Sequence, residues 1–81
     1  MNLRVLLFAR ARDLAGADVV LVEVAEGATV ADLRAALARN HPRLAGLLER
    51  SALAVNAEFA SPAQPLHAHD EIALLPPVSG G

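Results

Sequence analysis

The 81-residue sequence contains no cysteine, tryptophan, tyrosine or lysine. Without a thiol there is no disulfide, no thiolate metal site and no cysteine nucleophile, so any sulfur chemistry must use another group. Aromatic side chains are limited to Phe8 and Phe59. An excess of positive charge is also missing. Seven arginines, none in a run, against nine carboxylates leave a net charge of −2 and a pI near 5.8, which supplies no field for a phosphate backbone. Nucleic acid is therefore not an expected partner. Long hydrophobic runs are absent too. Val5-Leu6-Leu7-Phe8-Ala9, between Arg4 and Arg10, is shorter than the core of a signal peptide and far short of a membrane span, so a cytoplasmic chain with no membrane partner is expected. What remains is 54% apolar, carried by 18 alanines, 14 leucines and 8 valines. A chain of this length makes one small domain and buries roughly 60% of its unfolded surface, enough for a thin single core.

Residues 2–9 read as a strand with Leu3, Val5 and Leu7 on one face and Leu6 and Phe8 on the other. Arg10 to Gly16 is compatible with a short connecting helix, stopped by a glycine that can take positive φ. Val19 to Val24 is β-branched and bounded by Asp18 and Glu26-Gly27, a second strand expected to pair antiparallel with the first. The strongest helix signal starts at Thr29, an N-cap hydroxyl with Asp32 three residues on, and runs to Asn40. Val30, Leu33, Ala36 and Leu37 form its apolar stripe, and His41-Pro42 ends it. Leu44, Leu47 and Leu48 fit one more helical turn. Leu53 to Asn56 reads as a short strand, Ser61 to Pro65 as a loop or edge, and Asp70 to Leu75 as a last strand closed by Pro76-Pro77.

This order predicts an α+β fold with β-grasp topology: a mixed sheet of four to five strands with one main helix on one face. The other face then has no layer above it, and Phe8, Phe59 and Leu75 are expected to be exposed there. We expect a domain over residues 1–75 and an extended tail over residues 76–81.

In that tail, two prolines that cannot extend a ladder precede Val78-Ser79-Gly80-Gly81. Two closing glycines arise by chance in roughly 0.5% of chains at average glycine usage. Their chemical fit makes them more informative than that. A backbone carboxylate enters a narrow pocket of another protein only if its last residues are slim and its stem reaches far enough. A carboxylate is a poor electrophile, but transfer to the α-phosphate of ATP makes an acyl adenylate, which a sulfur nucleophile converts to a thiocarboxylate. Such a chain is a reagent, with Mg-ATP and acid–base groups supplied by its partners. No internal constellation competes, because there is no cysteine, no glycine-rich phosphate loop and no Ser-His-Asp set. The absence of lysine removes side-chain amines that an activated tail would acylate on its own chain; an all-arginine, alanine-rich usage is also what genome composition produces.

The stretches Leu7 to Gly16, Ala54-Val55-Asn56 and Asp70 to Gly81 resemble the small subunits of molybdopterin synthase, ubiquitin-like sulfur carriers, across the whole chain. The closing Pro-Pro-Val-Ser-Gly-Gly is the most specific part. The resemblance implies that Gly81 is adenylated by an E1-like adenylyltransferase and then sulfurated by a sulfur-donating enzyme. It implies that Pro77, Val78, Ser79 and Gly80 insert into a large synthase subunit, where the thiocarboxylate donates sulfur to cyclic pyranopterin monophosphate within a heterotetramer. Phe8, Phe59, Leu75 and Arg12 fall on the implied partner surface. No cofactor is expected to stay bound; ATP with Mg is used by the activating enzyme. Two departures stand out: Ala68-His69 where the family commonly has Asp-Gly, and Leu74-Leu75 where aromatic pairs are typical. A carrier for another pathway of thiamine type, a ubiquitin-like protein modifier, and an interaction domain with an inert tail are the competing readings. His67 and His69 lack a third ligand and read as loop histidines, so no metal site is expected.

Overall fold

Alternation along the first strand decides the architecture. In β1 (Asn2–Leu7), Leu3, Val5 and Leu7 are buried while Asn2 and Arg4 are exposed, so one face of the strand belongs to a core. The structure, a computed structural model, describes residues 1–77. It continues through α1 (Ala9–Ala15), β2 (Val19–Glu23), α2 (Val30–Asn40), a 3₁₀ turn (Pro42–Leu44), α3 (Ala45–Leu48), β3 (Ala52–Val55), β4 (Glu58–Phe59) and β5 (Ile72–Leu75). The five strands form one mixed sheet in the order β2-β1-β5-β3-β4. β1 pairs antiparallel with β2 and parallel with β5, and β5 and β4 both pair antiparallel with β3. This is the α+β, β-grasp arrangement expected from the sequence.

The first strand stops two residues earlier than expected. Phe8 keeps extended backbone, but Ala9 takes φ +48° and the chain turns directly into α1. Gly16 closes that helix at φ +73°, donating its N–H to the Arg12 carbonyl, a conformation that an L side chain adopts only at a cost. α2 begins as the sequence predicts. The Thr29 hydroxyl accepts from the Asp32 N–H, while the Asp32 carboxylate accepts from the Thr29 N–H at 2.9 Å. Val30, Leu33, Ala36 and Leu37 of this helix are buried against the inner sheet face with Leu3, Val5, Leu53, Ile72 and Leu74. At roughly 2 kcal/mol per fully buried leucine or valine side chain, this layer dominates the stabilising side of folding.

β3 and β5 are each displaced slightly from their expected limits. Asp70 and Glu71 lie before β5 because they serve the turn instead. The Asn56 amide donates to Asp70 at 3.0 Å and accepts from the Glu71 N–H at 2.9 Å, which ties the β3–β4 turn to the start of β5. Asn56 and Ala57 sit at positive φ in that two-residue turn, and asparagine tolerates this region well. β4 was not foreseen as a strand. Two residues carry no periodicity, and only pairing with β3 defines them. Among the described residues, no helix is long and apolar enough to cross a membrane.

Candidate docking face and tail root

β5 lies between β1 and β3 and is hydrogen-bonded on both sides. The segment carrying the chain end therefore leaves from the interior of the sheet and not from a fraying edge. The ladder stops at Leu75; Pro76 is half-buried and Pro77 exposed, and neither has an N–H with which to extend it. Val78, Ser79, Gly80 and Gly81, on which the sequence places the reactive tip, lie outside the described residues.

The outer face of the sheet can be read from the register. Val19 faces Leu6, Leu6 faces Ala73, Ala73 faces Ala54, and Ala54 faces Phe59, so one apolar row crosses all five strands. A second apolar group lies toward the tail: Leu75 faces Ala52, and Phe8 follows the Leu7–Leu74 pair on the neighbouring strand. Phe59 is 78% exposed, Phe8 46%, and Leu75 half-buried. Phe59 stands on the edge strand β4, while Ala54 and Ala73 on β3 and β5 leave the row between it and Leu6 low.

Leu21, 65% exposed, is the large exposed hydrophobic that the sequence reading missed. Its signal was available: with Val20 and Val22 inward, period-two alternation sends Leu21 outward, opposite Arg4. Leu75 lies near Phe8, whereas Phe59 stands at the far edge of the same face. Arg12 is not on it. It sits on α1, at the tail end of the sheet, with Nε 3.8 Å from the Asp18 carboxylate in a solvated pair that contributes little.

Away from the tail the face turns polar at Asn2 and Arg4 of β1, which border the turn before β5. Asp70 Oδ2 accepts from the His67 N–H at 2.8 Å, and this bond, with that from Asn56, holds the Asp70 carboxyl below its usual range. Neither Ala68 nor His69 takes positive φ, so the turn closes without a glycine. Among the described residues no group of three or more His, Cys, Asp or Glu side chains comes together as a metal-ion set.

The profile of the ThiS family matches residues 5–81. The chain belongs to the ThiS family. This ThiS-family chain is 36% identical to the molybdopterin synthase sulfur carrier subunit of Chlamydomonas reinhardtii, with both chains covered completely. Its structure is similar to the crystal structure of small archaeal modifier protein 1 of Haloferax volcanii, with a TM-score of 0.88, 35% identity and full coverage of both chains. It also matches a chain in the complex of subunits 1 and 2 of the molybdopterin-converting factor from Helicobacter pylori, with a TM-score of 0.71, 27% identity and full coverage of both chains.

Proposed function

We propose that this chain is the sulfur carrier subunit of a molybdopterin synthase, made of a β-grasp domain over residues 1–75 and a working tail over residues 76–81. The observation that carries the reading is the full-length similarity to a chain named for that role, joined to a tail rooted in the middle of the sheet beside an uncovered apolar face. An oxygen of the Gly81 carboxylate attacks the α-phosphorus of Mg-ATP on an E1-like enzyme, and pyrophosphate leaves. Hydrosulfide-level sulfur from a donor enzyme then displaces AMP, leaving a thiocarboxylate. On the large subunit that sulfur attacks an oxygen-bearing carbon of cyclic pyranopterin monophosphate, and the C–O bond at that carbon breaks, its oxygen departing with a proton. Water then cleaves the resulting acyl–sulfur bond, returning the carboxylate and leaving a thiol on the pterin.

In this division of labour the chain contributes presentation. Phe8, Phe59 and Leu75 bury apolar area against the large subunit, and Pro77, Val78, Ser79 and Gly80 bring Gly81 to the substrate. Arg12 lies where a partner gripping the tail would meet it. Docking and delivery are linked because Leu75 belongs to both the face and the strand from which the tail departs.

Intact mass spectrometry after incubation with ATP, the activating enzyme and a sulfur source tests the reading. Replacement of one C-terminal oxygen by sulfur is expected, and deletion of Gly81 is expected to abolish it without loosening the fold. The similarity to small archaeal modifier protein 1 favours one second reading, a protein modifier. An adduct on a target lysine, with no sulfur gain, would establish that instead.

A further inference from the structure

The net charge of −2 conceals a segregation that only the topology reveals. β5 ends, β1 ends, and β2 and β3 begin at one end of the sheet, because Leu7 pairs beside Leu74, Val19 faces Leu6 and Ala52 faces Leu75. α1 spans from β1 to β2 at that end, the 3₁₀ turn packs on α1, and Glu49-Arg50 enter β3 there. Arg10, Arg12, Arg43 and Arg50 are therefore gathered around the root of the tail. Arg34 points its guanidinium to the same end, donating to the Leu48 and Ser51 carbonyls. Five arginines there face three carboxylates, Asp13, Asp18 and Glu49, giving +2. The remaining two arginines, Arg4 and Arg39, share the rest of the molecule with six carboxylates, giving −4. Arg39 faces a groove lined by Met1, Glu23 and Asp32, and Asp70, Glu71 and Glu58 surround the far ends of β5 and β3.

We propose that the arginines at the tail end form a docking collar for an acidic rim on the protein that modifies the chain's C-terminus; this rests on the carrier reading above. Arg10, Arg43 and Arg50 are exposed and, among the described residues, belong to no ion pair. Their field reaches about 8 Å at physiological ionic strength, comparable to the separation of two surfaces just before contact. An acidic rim attracts this end and repels the opposite one, so encounters are biased toward tail-first approach. A single net charge has no such orienting effect. The collar also has a separate task from the apolar face: it sets how fast and in which orientation partners meet, while Phe59 and Leu75 set how long they stay.

The test is stopped-flow association of the full-length chain with the adenylating enzyme of the same organism, from low to high salt. The triple variant Arg10→Glu, Arg43→Glu, Arg50→Glu is expected to associate about tenfold more slowly at low salt, with a flattened salt dependence and an unchanged melting temperature. The triple variant Glu23→Arg, Glu26→Arg, Glu71→Arg changes the total charge equally in the opposite sense and is expected to change the rate much less. Unchanged rates in the arginine variant, or equal and opposite changes in the two variants, would overturn the collar. Mass spectrometry of the same wild-type mixture with a sulfur source separates the two failures. Sulfur gain without a salt effect removes the collar and leaves the carrier; neither sulfur gain nor association removes both.

Discussion

The two faces of the sheet are built from the same strands and differ only in which alternate residues they receive. Inward go Leu3, Val5, Leu53, Ile72 and Leu74, none more than 2% exposed, under α2. Outward go Leu6, Leu21, Phe59, Ala73 and Leu75, beside the polar Asn2, Arg4 and Glu23, with no layer above them among the described residues. Hydrophobicity alone does not separate the apolar members of the two sets. The difference lies in what completes each one: the inner set is satisfied within the chain, and the outer set has the composition of a core that lacks its second half. An 81-residue chain with a single main helix cannot cover both.

Substitutions on either side should break this comparison in opposite ways. Leu37→Ala, under the sheet, is expected to cost about 3 kcal/mol in urea unfolding, because the cavity it leaves is walled by close-packed neighbours. Phe59→Asp, outside, should cost less than about 0.5 kcal/mol of stability. It should weaken binding to the large subunit by about 2 kcal/mol, read by titration calorimetry. If Phe59→Asp unfolds the chain or leaves binding intact, the outer face is not a docking surface. Thr29→Ala removes one half of the cap on the helix that covers the inner face, with an expected loss of about 1 kcal/mol and no change in binding.

The smallest effect concerns the polar border of the outer face. Hydrogen bonds from His67 and Asn56 favour ionised Asp70, so its folded pKa lies below the unfolded value. Its contribution to stability is present above the unfolded pKa, near 3.8, and is lost as pH falls through the lower folded value. The protection of the His67 amide, taken relative to its intrinsic exchange rate at each pH, should fall in that acid range and lose this dependence in Asp70→Asn, with the rest of the sheet unaffected.

Much of this was legible in the sequence where local and tertiary signals agree. Thr29, Asp32 and the Val30-Leu33-Leu37 stripe specify α2 by capping and periodicity, both properties of nearby residues. β4 was not legible, because Glu58 and Phe59 become a strand only through β3. Asp70 and Glu71 looked like the start of a strand but are held by Asn56, fourteen and fifteen positions away. On the outer face, Phe8 and Phe59 stand out by type. Leu21 resembles any strand leucine until its neighbours are assigned to sides. The gathering of arginines has no sequence signature at all, since Arg10, Arg43 and Arg50 meet only after three elements are folded to one end.

The position of β5 also has a mechanical meaning. Tension on the chain end runs along a strand clamped between two neighbours, so the ladders to β1 and β3 are loaded in shear, many bonds at once, instead of being unzipped singly. A pull on the terminus is thus borne by the sheet as a whole, and the body it belongs to stays intact.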